Sequence, residues 1–362
     1  MIFFNFPKQI YIKYKKEIDK KIFDVLKSGN YINSYYLLKF ENSFAKYLKI
    51  KNCIGVGNAT DAIYLSLKAL NIKSGDEVIT VSHTATGTVL SIVNTGARPV
   101  FIDVNSDTYN MDTNLIEKKI TKKTKAIIVV HLYGQSCSME QVLFIAKKKG
   151  IPIIEDCSQS AGGRYKNKLL GSLGNFGCYS FFPTKNLSCF GDGGMVSCND
   201  NYLSNKIRNM REYGWDKNRN AKYIGINSRL DEIQAAVLMI KLKFLDKDNI
   251  ERRKIAKIYN NEILNPNIIK PKESSHNYHV YHLYVVRTKK RDKLIDYLKK
   301  NNILASIHYK IPVHKQKVYF NPKNKDLKVT EKISKEIVSL PIYPGLNLLD
   351  QRKVIELINN FS

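Results

Sequence analysis

The sequence predicts an α/β protein, a large and mainly parallel sheet covered by helices, with a smaller α+β domain after it. Three observations lead there. Strand-like and helix-patterned segments alternate through about residue 198. The run Ile151-Pro152-Ile153-Ile154-Glu155-Asp156 is short, apolar and β-branched, as strands buried on both faces are. Near residue 230 the pattern changes to a long helix followed by a second, shorter set of elements. A chain of 362 residues is too long for one simple core and suits two domains, expected at 1–249, with an N-terminal arm, and at 250–362.

In chain order, strands are expected at 53–56, 77–81, 99–103, 126–131, 152–156, 178–182 and 194–198. The first leads into Gly55-Val56-Gly57-Asn58-Ala59-Thr60, which opens a helix through about Leu70. This partly imitates a dinucleotide-binding glycine fingerprint but lacks the third glycine, and Asp76 and Glu77 fall at the start of a strand instead of its end. What survives is a helix N-terminus ready for an anion. Pro183 closes the 178–182 strand because it cannot donate to a ladder. A helix follows from Asp231 to about Lys247 and on through Glu251-Arg252-Arg253. Strands at Val280–Arg287 and Ile303–Ile307 then flank a helix at Lys293–Lys300.

Composition narrows the class. The net charge of +27 would suggest a nucleic-acid partner, but lysines are spread along the whole chain and the tyrosines are scattered, without the basic face and interleaved aromatics that such binding uses. The six cysteines form no C-x-x-C pair and have no histidines at zinc spacing, so reduced buried thiols and no metal are expected. Residues Met1 to Lys8 carry no basic region ahead of a long apolar core, and no apolar run is long enough to span a bilayer. A cytoplasmic protein without membrane contact is the expectation.

The chemistry gathers in two places. Lys185 follows the β-prone run Cys178–Phe182 and precedes Gly191-Asp192-Gly193-Gly194, so it sits just past a strand end before a turn whose glycines let backbone approach a bulky ligand. Asp156 ends its own buried strand, and open α/β sheets bind ligands at that carboxyl edge. A lysine that attacks a carbonyl and a carboxylate that keeps a pyridine nitrogen protonated are the pair that pyridoxal phosphate needs. The alternative is a solvated loop lysine and an aspartate that caps a following helix.

The blocks Glu155–Gly162, Pro183–Leu187 and Gly191–Val196 resemble those of the DegT/StrS-type sugar aminotransferases. So do Gly57–Ala62, Val130–Gln135 and Asn227–Ala236, so the resemblance spans nearly the whole chain. It implies the aspartate aminotransferase fold, that of fold-type I pyridoxal-phosphate enzymes. Lys185 would then be the Schiff-base lysine, Asp156 the ring-nitrogen partner, Gln159 a contact of the phenolic oxygen and His83 the ring stacked on the pyridine face. Asn58, Ala59, Thr60 and Ser180 would hold the phosphate, joined by Asn227 from a neighbouring subunit. Arg229 would bind the amino donor's carboxylate, and the family pattern implies a homodimer with shared sites. Ser188 departs from the pattern, which usually has glycine after Lys-Asn-Leu.

The segments Val280–Val285 and Ala305–His314 look most like the branch acting on nucleotide-linked 3-keto-6-deoxyhexoses, with His308 and Tyr309 as substrate contacts. The implied reaction moves the amino group of glutamate to such a sugar, dTDP-linked in that branch. The alternatives are a 4-keto or UDP-linked 3-keto sugar, a small phosphorylated ketone, or a non-catalytic relative that only binds the cofactor. Plainer readings stay open beside each role: Thr60 as a helix cap, Arg229 in an ion pair, and His308, Tyr309 and His314 in a strand and turn. The positive charge would speed encounter with an anionic nucleotide-sugar.

Overall fold

The computed structural model describes residues 1–320 and 327–362. Helices α1 (Pro7–Ser28) and α2 (Tyr35–Leu48) precede β1 (Asn52–Val56). Then come α3 (Ala59–Ala69), β2 (Glu77–Val81), α4 (Thr86–Asn94), β3 (Arg98–Ile102), α5 (Ile116–Lys119), β4 (Thr124–Val130), α6 (Met139–Lys149) and β5 (Ile153–Asp156). The short strands β6 (Arg164–Tyr165) and β7 (Lys168–Leu169) lead to β8 (Phe176–Ser180), β9 (Gly194–Cys198), α7 (Asn201–Met210) and α8 (Glu232–Glu262). The chain closes with β10 (Asn277–Tyr278), β11 (Tyr284–Arg287), α9 (Arg291–Lys300), α10 (Lys328–Ile333), β12 (Ile337–Leu340) and α11 (Leu348–Asn360).

Seven strands form the main sheet in the order β1-β9-β8-β5-β4-β2-β3. Only β9 runs against the rest, pairing antiparallel with both β1 and β8. The sheet is covered on both faces, and successive side chains divide between them. Ile127 and Val129 enter one core with α2, α6 and α8, while Ala126 and Ile128 enter another with α3 and α7. Because six strands point the same way, the ends of β1, β2, β4, β5 and β8 lie along one edge. The register places Asp156 beside Val130 and Cys178, and Gly194 between Ser180 and Val56.

The third core lies in the C-terminal region, built from Ile255, Ala256 and Tyr259 of α8 with residues of β11, β12, α9 and α11. Helix α8 runs unbroken across residues 249 and 250: Ala235, Leu238 and Leu245 pack against the sheet, and its last turns enter the C-terminal core. The N-terminal arm is tied to that region, since Ile2 N–H donates to Asn302 O at 2.8 Å and Ile342 N–H to Phe4 O at 3.1 Å.

Two strand expectations are corrected. Residues 303–307 form no strand, because Ile303 pairs once with Ile2 and Ser306 once with Ser339, and neither bridge extends into a ladder. The 280–287 strand begins only at Tyr284. Before it, Tyr281 has φ 42°, and the N–H groups of Val280 and Leu283 bond to Gly134 and Tyr133 instead of to a strand. Among the described residues, no helix is long and apolar enough to cross a membrane.

Candidate active site

Four strand ends supply the site. Asp156 closes β5 with 4 % of its surface exposed, and no helix follows it, so it is not a helix cap. Its Oδ2 accepts from Thr88 Oγ1 at 2.7 Å and its Oδ1 from Ser158 N–H at 3.1 Å, which leaves a lone pair on each oxygen. The adjacent Glu155 points to the opposite face of the strand and is fully used there. It accepts from the N–H groups of Gly171, Leu173 and Gly174 and lies 3.0 Å from His131 Nε2.

Lys185 stands in the turn after β8, its own N–H bonded to Phe182 O at 2.9 Å. The side chain is half-buried, and the surrounding protein desolvates its amine enough to bring the pKa down to about 8 against the opposing pull of Asp156. Two imidazoles, His282 and His308, are close enough to feel its charge. Burial, with a smaller contribution from Lys185, holds His308 at about 4 and His282 well below the ordinary range, so both are neutral at neutral pH. Tyr309 lies within the field of Asp156, and Gln159 Nε2 donates to its hydroxyl at 2.9 Å. His83, fully buried after β2, lies 2.8 Å from the Tyr133 hydroxyl. Lys185, Asp156, Gln159, His83, His308 and Tyr309 therefore belong to one cluster.

A second cluster adjoins it at the start of α3. Asn58 is the N-cap, accepting from Asp61 N–H at 2.9 Å. The helix-cap role considered for Thr60 thus falls to Asn58, and the Ala59 and Thr60 N–H groups are left as the open donors of the first turn. The backbones of β9 and α4 both lie close to it: a Cβ on Gly194 of β9 would come within 2.5 Å of Asn58 O, and one on Gly87 of α4 within 2.6 Å of Thr60 Oγ1. Ser180, paired in register with Gly194, brings its hydroxyl to the same edge.

Asn227 and Arg229 stand apart. Asn227 is exposed, and Arg229 lies 3.6 Å from Glu212. Only Ser228 between them reaches inward, accepting from Gly57 N–H at 2.9 Å and donating to Asp61 at 2.6 Å. Among the described residues, neither Asn227 nor Arg229 shares a hydrogen bond with the Lys185 cluster. His314 is also outside it: buried, 2.6 Å from Ser82 Oγ and 3.1 Å from Glu331, it fixes the loop before His83.

Sequence reasoning passed over Thr88, Tyr133, Ser228 and His282. Each lies inside or beside a motif already singled out, but nothing about a threonine or tyrosine in sequence says which way its hydroxyl turns.

A desolvated amine, a carboxylate with free lone pairs and open N–H groups at a helix N-terminus are what the aldehyde, ring nitrogen and phosphate of pyridoxal phosphate require. The residues present fit that group. Residues 13–359 match the DegT/DnrJ/EryC1/StrS aminotransferase family. The chain belongs to this family. It is a pyridoxal-phosphate-dependent sugar aminotransferase of fold type I.

Among similar proteins is the dTDP-3-amino-3,6-dideoxy-alpha-D-galactopyranose transaminase of Aneurinibacillus thermoaerophilus, 45 % identical over 362 residues and covering all of both chains. Streptomyces venezuelae DesV, solved in complex with a ketimine intermediate, is 37 % identical with a TM-score of 0.97, over 99 % of this chain and 97 % of that one. NtdA from Bacillus subtilis with bound cofactor PMP is 28 % identical with a TM-score of 0.89, over 96 % and 81 % of the two chains.

Proposed function

We propose that this aminotransferase moves the amino group of glutamate to a dTDP-linked 3-keto-6-deoxyhexose, giving a dTDP-3-amino-3,6-dideoxyhexose. The observation that carries the chemistry is the desolvated Lys185 amine set in the field of Asp156 at the carboxyl edge of the sheet. The sugar is read from the end-to-end likeness to the Aneurinibacillus enzyme.

In this reading Lys185 would hold the cofactor's carbonyl carbon, Asp156 its ring nitrogen, Gln159 its phenolic oxygen, and Asn58, Ala59, Thr60 and Ser180 its phosphate. When bound, the cofactor supplies a carbonyl for the donor's amine and a sink for the electrons left at the α-carbon. With its pKa near 8, Lys185 has a sizeable neutral fraction at physiological pH, so its Nζ takes the α-proton as a base and returns it as an acid. His282 and His308, both neutral, add no competing positive charge beside that amine. Tyr309 and His308 would contact the sugar.

Asn227 and Arg229, exposed or half-exposed on one chain, serve a neighbouring subunit's site, with the Arg229 fork on the donor carboxylate. A fully active monomer would exclude this sharing. The two domains are taken as 1–249 and 250–362 with α8 joining them, because a C-terminal core forms around Tyr259, Tyr284 and Val338, while Leu283, Val285, Ile333 and Ile337 from the same region pack into the main core. The six free, buried thiols suit the cytoplasm.

The test is spectroscopic. The purified protein is expected to show a visible absorption band that glutamate bleaches toward the near-ultraviolet, and dTDP-linked 3-keto-6-deoxyhexose should then restore it. Absence of a visible band after addition of pyridoxal phosphate would remove the reading. Restoration by a UDP-linked or 4-keto sugar alone would move the substrate.

A further inference from the structure

Three of the residues that the sequence singles out meet at one that it does not. The backbone N–H of Tyr133 donates to Gln159 Oε1 at 2.8 Å, its hydroxyl oxygen lies 2.8 Å from His83 Nε2, and the same hydroxyl donates to the carbonyl of His308. Tyr133 is 2 % exposed and its φ is 60°, a left-handed conformation that a tyrosine keeps only where its surroundings hold it. They do so here: Leu283 N–H bonds to its carbonyl at 3.3 Å, and the following Gly134 lies so near the 281–282 backbone that a Cβ would come within 2.9 Å of His282 N.

The direction of each bond follows from counting protons. A phenol has one, and burial keeps that of Tyr133 in place by raising its pKa. The carbonyl of His308 can only accept, so the proton goes there and the Tyr133 oxygen must accept from His83. Nε2 of His83 therefore carries hydrogen. Burial lowers the His83 pKa to about 4, so the ring is neutral at physiological pH and Nδ1 is a bare lone pair. That nitrogen is buried without a hydrogen-bond partner among the described residues. The same count orients Gln159. A backbone N–H can only donate, so the amide oxygen faces Tyr133 and the NH2 faces Tyr309, whose own proton stays free to donate.

We propose that Tyr133 is a positioning residue of the aminotransferase: its hydroxyl locks His83 as the neutral Nε2-protonated tautomer, and its amide turns Gln159 so that Tyr309 faces the pocket as a donor. The lock has a use if His83 stacks on the cofactor ring, because a cationic imidazole there would repel a protonated pyridine. That use rests on the functional reading above, whereas the tautomer does not.

The experiment is long-range 1H–15N NMR on protein labelled at its seven histidines, with His83 assigned by loss of its signals in His83→Gln. In the cofactor-free wild type, His83 is expected to be neutral and Nε2-protonated from about pH 6 to 8. In Tyr133→Phe, which keeps the ring and the backbone amide, part of the population should shift to the Nδ1-protonated form. The Kd for pyridoxal phosphate should rise in step with the fraction of His83 that leaves the Nε2-protonated form, about tenfold if roughly nine-tenths of it does. A wild-type His83 that is Nδ1-protonated or cationic overturns the proposal, as does a Tyr133→Phe protein with unchanged tautomer and Kd. If that variant does not fold, the wild-type tautomer decides alone. Failure of the functional reading would show differently, as a wild type that binds no pyridoxal phosphate at all.

Discussion

Two lysines of this chain have desolvated amines brought down to about the same pKa of 8, and the reaction proposed above uses only one of them. Lys185 sits at the sheet edge, half-buried, with Asp156, His282 and His308 around it and no hydrogen bond on its Nζ among the described residues. Lys241 lies inside α8 with 4 % exposure. Its amine donates to Ser188 Oγ at 2.5 Å and stands 5.5 Å from the centre of the Phe190 ring. Burial lowers both amines, so a low amine pKa measures desolvation and does not by itself mark a catalytic group. What separates the two is the company each keeps. The comparison also accounts for Ser188, which supplies a hydroxyl where the usual glycine would leave the Lys241 ammonium one acceptor short.

The sharpest way to break this contrast is to remove each amine in turn. Lys185→Ala is expected to lower kcat by more than about 10⁴-fold, since nucleophile and proton carrier are lost together, and to abolish the visible band. Lys241→Met, similar in length and without charge, should leave kcat within about tenfold of wild type because it touches no reacting group. Steady-state rates and absorbance spectra of both variants decide it. Equal losses would mean that Lys241 takes part in the chemistry and that the contrast is mistaken.

The contrast sharpens further in stability. The folded-state pKa of Lys241 is lowered below its ordinary 10.5, so the unfolded chain binds more protons between about pH 8 and 10.5 and stability rises with pH across that window. Below pH 8 the full cost of burying the charge is present, on the order of 3 kcal/mol for a shift of this size. Lys241→Met removes the cost. Its stability advantage over wild type in urea unfolding should therefore be largest near pH 7 and shrink by pH 10. A difference that stays constant with pH would show that the amine is not desolvated in the folded protein.

How much of this was legible beforehand depends on what each feature needs. The alternating strands and the long helix after residue 230 follow from hydrophobic period, which sequence carries directly. Lys185 and Asp156 follow from their place at strand ends, because the parallel sheet brings those ends to one edge. Two things were not legible. The stretch 303–307 has strand-forming residues, but whether a strand forms depends on a partner, and its partners at Ile2 and Ser339 each offer only one pairing. The hydroxyl network of Thr88 and Tyr133 depends on which acceptor lies within 3 Å, a fact of tertiary packing. Adjacent Glu155 and Asp156 look alike in sequence, and only the two-residue period of the strand sends one to a structural network and the other to the site.

Thr88 gives the smallest and most specific test of the company that Lys185 keeps. Its hydroxyl donates to Asp156 Oδ2, so toward Thr84, 2.9 Å away, it must accept, and a directed chain runs from Thr84 through Thr88 to the carboxylate. Asp156→Ala removes the end of that chain and should cost about 10²–10⁴-fold in kcat with the fold retained. Thr88→Val keeps shape and volume but deletes one hydrogen bond to a charged group, about 1.5–3 kcal/mol at most. The expected result is roughly a tenfold loss in kcat and weaker retention of pyridoxal phosphate on dialysis, with Thr88→Ser restoring both. If Thr88→Val retains the cofactor and turns over as the wild type does, the bond from Ser158 alone suffices to aim Asp156, and the contrast between the two lysines rests on the carboxylate's position and not on what holds it.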